Sequence, residues 1–134
     1  MWKNRRLYEK LQRKYAGDKQ IQIIESTPQM ADYMKACDLF ITKPGGLSST
    51  EAAVSGIPLV HISPIPGCEQ RNAEYFLKHG MRAFVSNQKK ELLPALQKLQ
   101  QSGCVYDMIS AQRCCVNPRA AEKLCDFMER TVDL

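Results

Sequence analysis

The sequence has no long apolar run, no pair of cysteines at C-x-x-C spacing and only two histidines. No stretch approaches the roughly 18 apolar residues of a membrane-spanning helix, and the basic start of the chain has no apolar signal-peptide core. The six cysteines lack C-x-x-C spacing, and nothing places His61 beside His79. A disulfide framework and a zinc site are therefore not expected. These absences favour a cytoplasmic protein that holds no metal and no other cofactor.

Net charge is nearly confined to the first 20 residues. They contain seven Lys and Arg residues against two acidic residues, which accounts for the whole net charge of +5. A basic helix can contact anionic lipid headgroups or nucleic acid, but such a run is usually a solvated helix face. We expect no nucleic-acid binding, and keep a peripheral contact with the inner face of the membrane as a minor hypothesis.

Short apolar runs and helical repeats alternate along the chain. The runs predict strands at Ile21–Ile24, Asp38–Thr42, Leu59–Ser63 and Arg82–Val85. The repeats predict helices near 4–16, 30–37, 48–55, 70–79 and 90–101, where Pro94 indicates a late start or a bend, and a last helix that Asn117 caps with Pro118 at its first position. This order predicts an α/β fold, a Rossmann-like parallel sheet with helices on both faces.

Parallel sheets bind ligands at the carboxyl ends of their strands. The loops after Ile24, Thr42, Ser63 and Val85 should therefore share one edge of the sheet. Three of these four loops contain the unusual chemistry of the sequence, which places the candidate site at that edge.

The loop TKPGGLSSTEA follows the second predicted strand. Gly45 and Gly46 can adopt positive φ and let a ligand approach the backbone without a Cβ in the way. A helix capped by Ser48 or Ser49 would then present unpaired N–H groups and a positive dipole end, where anions bind. The loop is neither a Walker loop nor G-x-G-x-x-G. It predicts a phosphate site, and the alternative is a tight turn followed by an ordinary N-cap.

Glu51 lies in the first turn of the same predicted helix. A carboxylate there would repel a phosphate unless it accepted hydrogen bonds from neighbouring hydroxyls, and the ribose of a nucleotide supplies two. The alternative is that Glu51 complements the helix dipole or completes a capping box with Ser48.

The loop after the third predicted strand reads PIPGCEQRN. Its prolines and Gly67 fix the shape of the loop, and Glu69, Gln70 and Asn72 present polar groups at the next helix start. Carboxylate and carboxamide side chains are common readers of sugar hydroxyls. Together the two loops predict a nucleotide-sugar site, with the diphosphate at residues 45–49, the ribose at Glu51 and the hexose near Glu69 and Asn72.

The run ITKPGGLSSTEAAVSGIPLVHISPIPGCEQRNAEYFLKHG strongly resembles the nucleotide-sugar half of family-28 glycosyltransferases. The resemblance is strongest to bacterial diacylglycerol glucosyltransferases and plant monogalactosyldiacylglycerol synthases, and weaker to the bacterial peptidoglycan N-acetylglucosaminyltransferase. It is best over residues 28–85 and continues loosely to NPRAAEKLCDFM. It implies the C-terminal half of a GT-B fold, and inverting transfer of a hexose from a UDP-sugar to an acceptor hydroxyl, often on a lipid such as diacylglycerol, without a required metal.

The resemblance also implies residue roles. The glycine turn would bind the phosphates, Glu51 the ribose, Glu69 and Asn72 the sugar, and the backbone near Ser26 and Thr27 the uracil. The expected substrate-binding residues are Ser26, Thr27, Gly45, Gly46, Leu47, Ser48, Glu51, Gly67, Glu69, Gln70 and Asn72.

The sequence departs from the family pattern in two ways. Cys68 stands where many relatives have glutamine, which leaves the identity of the sugar open. The chain also opens inside the expected domain, so we interpret residues 1–134 as one incomplete nucleotide-sugar-binding domain. The acceptor domain, where the family keeps its catalytic base, is missing, and this chain alone should not catalyse transfer.

Two alternatives to a fragment of a longer transferase stay open. One is a stand-alone nucleotide-sugar-binding subunit that needs a separate acceptor-domain or membrane partner. The other is a pseudo-enzyme that keeps the fold without the ligand. An open sheet edge could also pair with a second copy of the chain.

Overall fold

The computed structural model describes residues 4–101 and 103–132, with the backbone alone at Cys68 and Val132. It divides into two compact units, Met1–Tyr33 and Met34–Leu134, which are described separately. The single domain expected over residues 1–134 stays a prediction.

The first unit begins with helix α1, Arg5–Tyr15. Asn4 is its N-cap, and the Asn4 side-chain oxygen accepts a hydrogen bond from the Leu7 amide at 3.0 Å. The helix predicted near 4–16 is therefore confirmed. No residue of the described part of this unit, 4–33, is buried.

The strand predicted at Ile21–Ile24 is wrong, because this segment has no regular secondary structure. A strand needs a neighbour that supplies ladder hydrogen bonds, and residues 4–33 contain no second strand. The carbonyl of Ile23 instead accepts a hydrogen bond from the Gln12 side chain at 3.0 Å. Helix α2, Met30–Ala36, follows as predicted, and the division between the two units falls within it.

The second unit contains a parallel sheet of three strands, β1 (Phe40–Thr42), β2 (Leu59–Ile62) and β3 (Ala83–Val85), in the order β1-β2-β3. Consecutive residues of a strand point to opposite faces of the sheet. Leu59 and Val60 are both fully buried, so both faces of the central strand are covered. The predicted α/β fold with a parallel sheet is thus confirmed.

The described part of the second unit contains five helices besides the end of α2. They are α3 (Gly46–Val54), α4 (Cys68–Lys78), α5 (Gln88–Leu99), α6 (Cys104–Cys115) and α7 (Ala120–Val132). The core between sheet and helices is formed by Ala52, Ala53, Leu59, Val60, Phe76, Met81, Val85, Leu99 and Met108.

Helices α5 and α7 begin at residues other than those predicted. Helix α5 begins at Gln88 and continues through Pro94, so its predicted late start is wrong. The carboxylate of Glu91 explains the early start, because it accepts hydrogen bonds from the amides of Ser86 and Asn87. Helix α7 begins at Ala120 rather than at Pro118, since the Asn117 side chain bonds the Arg119 amide in a turn before the helix.

Helix α6 was not predicted at all. Its buried face contains Gln112 beside Met108, and a glutamine breaks the apolar repeat that marks a helix in sequence. The Gln112 amide group is buried because it donates hydrogen bonds to the carbonyls of Ile57 and Met81, at 3.0 and 3.1 Å. The side chain thereby ties α6 to the segments that lead into β2 and β3.

Candidate functional site

The loops that follow β1, β2 and β3 lie at one edge of the sheet, because the three strands are parallel. The prediction of a shared edge is confirmed for the loops after Thr42, Ile62 and Val85. The loop after Ile24 does not follow a strand and lies in the first unit, so its expected place at this edge stays a prediction.

The twin glycines begin α3 directly. Gly45 is the N-cap with φ −69°, Gly46 is the first helical residue, and neither has positive φ, so that part of the prediction is wrong. A Cβ built on Gly45 would meet no atom within 4 Å, and one on Gly46 would meet only the Asn72 side-chain nitrogen at 3.7 Å. The fold itself therefore does not require glycine at either position. What the glycines provide is an uncovered backbone, with Gly46 exposed.

Three backbone amides at the start of α3 have no hydrogen-bond partner among the described residues. The Ser49 amide donates to the Gly45 carbonyl at 3.1 Å, which is the first bond of the helix. The preceding amides, of Gly46, Leu47 and Ser48, make no hydrogen bond within residues 4–101 and 103–132. Together with the positive end of the helix dipole they form a site suited to an anion.

The serines do not cap this helix, so that prediction is wrong. Because α3 starts two residues early, no side chain caps it, and both serines lie within its first turns. Ser48 is half-buried. Ser49 is fully buried, and its hydroxyl lies 2.9 Å from Nε2 of His61. The Ser49 hydroxyl therefore does not face a ligand at this edge.

Glu51 lies on the solvent face of α3. The buried face of the helix is formed by Ser49, Ala52 and Ala53, and Glu51 is exposed. Its carboxylate makes no hydrogen bond or ion pair with the described part of the chain, so the capping box with Ser48 is not formed. The carboxylate remains available to accept hydrogen bonds from a ligand.

The loop between β2 and α4 is shaped by a glycine with positive φ and by a hydrogen bond to one carboxylate. Gly67, the N-cap of α4, has φ +102°, a conformation that glycine alone adopts without strain. One oxygen of Glu69 accepts a hydrogen bond from the Ile65 amide at 2.6 Å. The exposed Gln70 side chain donates to Glu74 at 3.2 Å.

Asn72 joins this loop to the glycine turn. Its side-chain nitrogen donates to the carbonyl of Pro44 at 3.1 Å, across 28 residues of sequence. The structure thus brings together Gly45, Gly46, Leu47 and Ser48 with Asn72, and Glu69 lies one turn earlier on the same helix. Leu47 is 81% exposed, so its side chain is free to line the site.

Two predicted residues lie in the first unit, and their position is given within that unit only. Ser26 is exposed. The Thr27 hydroxyl accepts a hydrogen bond from the Gln29 amide at 3.0 Å, just before α2. Their expected role beside the uracil stays a prediction.

Sequence reasoning missed a hydrogen-bonded link between the loops after β2 and β3. The Gln88 side chain donates to the Ser63 hydroxyl at 2.9 Å, and that hydroxyl donates to the Ser86 carbonyl at 3.3 Å. Hydrogen bonds from Asn87 and Ser86 lower the pKa of Glu91 below its usual value. The only signal for this link was the polar run SNQ after the last strand.

Two basic side chains, His61 in β2 and Arg82 just before β3, are buried. Burial and, second, the charge of Arg82 lower the pKa of His61 to about 4, so this imidazole is neutral at pH 7. Burial also lowers the pKa of Arg82 to about 10, and its guanidinium donates twice to the Ala73 carbonyl, at 2.8 and 3.1 Å. Arg82 therefore stays charged at pH 7.

A cavity of about 490 Å³ lies between β3, α5 and α6. Leu77, Phe84, Leu99 and Met108 are among its lining residues, and none of the predicted substrate-binding residues contributes to it. The candidate site is therefore located by the unpaired amides at the start of α3 and the exposed carboxylate of Glu51, and it does not coincide with this cavity.

Two searches of the described residues were negative. They contain no group of three or more His, Cys, Asp or Glu side chains that could hold a metal ion. Among the same residues, no helix is both long enough and apolar enough to span a bilayer.

Comparison with known families gives one match over nearly the whole chain. A family model described as "Glycosyltransferase family 28 C-terminal domain" matches residues 3–130. The resemblance stated from the sequence is thereby confirmed.

Several curated relatives are each named "Processive diacylglycerol beta-glucosyltransferase". The protein of Bacillus subtilis (strain 168) is 35% identical over 83 residues, which are 62% of this chain and 21% of the relative. That of Staphylococcus carnosus (strain TM300) is 30% identical over 99 residues, which are 74% of this chain and 25% of the relative. The chain thus matches between a fifth and a quarter of the length of these relatives.

Proposed function

The chain belongs to the glycosyltransferase family 28 C-terminal domain family, and from this premise we propose that it is the UDP-sugar-binding portion of an inverting hexosyltransferase. The acceptor is a hydroxyl of a glycolipid precursor, and the relatives' name favours diacylglycerol. The catalytic base lies outside the 134 residues, so this chain alone is inactive.

The observation that carries the proposal is the row of open amides at the start of α3. A diphosphate needs several donors in a small volume, and Gly46, Leu47 and Ser48 provide three without adding a side-chain charge. Gly45 and Gly46 leave room for the phosphates to reach these donors, since no Cβ covers the backbone there.

The other proposed contacts follow from the donor and acceptor atoms that each side chain does not use within the protein. The Glu51 carboxylate makes no hydrogen bond or ion pair within the described chain, so both of its oxygens can accept from the ribose hydroxyls. Glu69 uses one oxygen to hold Ile65 and keeps the other for the hexose. Asn72 donates once to Pro44 and keeps its own oxygen and a second N–H for the sugar. Gly67 and Gln70 line the same loop, and the uracil lies at the backbone of Ser26 and Thr27.

Titration calorimetry with UDP tests the proposal. We expect wild-type chain to bind, and Glu51→Ala to weaken binding roughly tenfold or more, as for loss of a hydrogen bond to a charged group. The matched control is Glu129→Ala, because Glu129 is an equally exposed helical glutamate on α7. A folded wild-type chain that shows no heat with millimolar UDP would overturn the proposal.

A second candidate uses the same site in a stand-alone subunit whose acceptor domain is on another chain. The reading frame upstream of Met1 tests it, because an in-frame extension that encodes an acceptor domain removes the need for a partner chain.

Two further partners belong to the proposal. A cytoplasmic transferase with a lipid acceptor must reach the membrane, and the cations of α1 suit anionic headgroups. A second copy of the chain can pair through β1, which lies at one end of the strand order β1-β2-β3.

A further inference from the structure

A buried polar pair connects α3 to the centre of the sheet. Ser49 lies in the first turns of α3 and His61 in β2, and both are fully buried. The Ser49 hydroxyl and His61 Nε2 are 2.9 Å apart. The rest of the contact between α3 and the sheet is apolar, through residues such as Ala52 and Ala53.

The neutral His61 imidazole can form this hydrogen bond in either tautomer. A neutral imidazole has one N–H and one lone pair. The buried Nδ1 has no hydrogen-bond partner among the described residues. Nε2 therefore either donates to the Ser49 hydroxyl or accepts from it, according to the tautomer, and both arrangements keep the two groups in one hydrogen bond.

The position of Ser49 links this pair to the anion site. Ser49 is the residue directly after the three open amides, and its own amide closes the first helical bond with Gly45. Its backbone and its side chain are therefore both fixed. A hydrogen bond restrains direction and distance, whereas the apolar contacts of Ala52 and Ala53 are not directional.

We propose that the buried Ser49–His61 pair positions the first turn of α3, so that the amides of Gly46, Leu47 and Ser48 converge on one anionic group. The proposal rests on the diphosphate assignment made above. His61 and Ser49 are positioning residues, because neither reaches the ligand. Donors that are held in place before binding cost the ligand no reorganisation.

The double variant Ser49→Ala/His61→Leu separates positioning from folding. Replacing both partners of a buried hydrogen bond by apolar groups is nearly neutral for stability, whereas removing one leaves the other unsatisfied. We expect a folded double variant whose Kd for UDP, and for inorganic pyrophosphate, rises about tenfold, as for a lost hydrogen bond to a charged group. Its Kd for uridine should stay unchanged, because uridine does not use the amides.

The variant Ser49→Thr serves as the matched control. It keeps the hydroxyl and should keep the wild-type ratio of the Kd values for uridine and UDP. Impaired folding would lower the active fraction for both ligands equally and leave this ratio unchanged, so the ratio reports positioning alone.

Nitrogen NMR gives a second readout. The chain has only two histidines, so labelling histidine with ¹⁵N yields one signal set for His61 and one for His79. We expect UDP to shift the Nε2 resonance of His61, and Ser49→Ala to abolish that response. His79 bonds the Tyr75 carbonyl at the far end of α4 and should not respond.

Each outcome has a distinct meaning. Wild-type chain that does not bind UDP overturns the proposed function and this inference with it. Wild-type binding with an unchanged uridine-to-UDP ratio in the double variant overturns the positioning role alone. A changed ratio together with a shifted His61 resonance supports both.

Discussion

The variant Gly46→Ala should change stability and UDP affinity in opposite directions. The new Cβ meets only the Asn72 side-chain nitrogen at 3.7 Å, which is ordinary van der Waals contact, and Gly46 is already helical. Such a change stabilises a protein by about 0.5 kcal/mol, mainly by reducing the freedom of the unfolded chain. For a chain of this size that raises Tm by about 2 °C.

The same Cβ should weaken UDP binding. In a helix each Cβ leans toward the N-terminus, which here is the side where a phosphate would approach the amides. A phosphate oxygen must come within about 2.9 Å of an amide nitrogen, and a methyl group beside it would push it out of hydrogen-bonding range. Loss of one hydrogen bond to a charged group corresponds to roughly 10- to 100-fold in Kd.

Thermal unfolding and titration calorimetry on the same sample measure both effects. Gly17→Ala is the matched control, because a Cβ at Gly17 meets no atom within 4 Å and this glycine also lacks positive φ. It should gain similar stability with unchanged UDP affinity. If Gly46→Ala gained stability and kept the wild-type Kd, the close approach of phosphate to this backbone would be refuted.

Four further outcomes are expected. Gly67→Ala should lower stability by about 1–2 kcal/mol in urea unfolding, because φ +102° strains any residue with a Cβ; wild-type stability would contradict this. Burial and, second, the charge of Arg82 lower the pKa of His61 from 6.5 to about 4. The neutral imidazole therefore contributes fully to stability above pH 6.5, and roughly 3 kcal/mol of the free energy of unfolding is lost as the pH falls toward 4. Urea unfolding of wild type and of Ser49→Ala/His61→Leu across this range isolates this contribution, and parallel curves of stability against pH would argue against it. Excess EDTA should leave the Kd for UDP unchanged, whereas a large rise would indicate a required metal. The triple variant Arg6→Glu/Lys10→Glu/Arg13→Glu on α1 should abolish co-sedimentation with phosphatidylglycerol vesicles. The control Lys89→Glu/Lys90→Glu on α5 should keep it, and an equal loss of vesicle binding in both variants would point to net charge alone.

The strands of the sheet could be predicted because each is a short apolar run that is visible in the local sequence. Leu59–Ile62 and Ala83–Val85 lie within the predicted strands and need no distant information. Ile21–Ile24 has the same composition but no neighbour within its unit, and a strand exists only as one member of a pair. Helix α6 was missed for the opposite reason. A glutamine in sequence indicates a surface position, and Gln112 can be buried only because it donates hydrogen bonds to two distant carbonyls.

The candidate site was predictable in position but not in detail. The rule that parallel strands end at one edge brought the loops after Thr42 and Ile62 together correctly. The serines were misassigned because helix α3 starts at Gly46, and glycine is a poor signal for a helix start beside three hydroxyl side chains. The bond from Asn72 to Pro44 spans 28 residues, and no local pattern predicts it.

The donors of the proposed phosphate site are backbone amides, which every residue except proline has. Side-chain identity at such a site therefore matters most where it orients the backbone or keeps it uncovered. Asn72 restrains the Pro44 carbonyl from one side, and the Ser49–His61 pair restrains the following turn from below. A long matched run around a glycine turn is then what the chemistry requires, because the residues that hold the amides are spread over β2, α3 and α4 rather than gathered at the ligand.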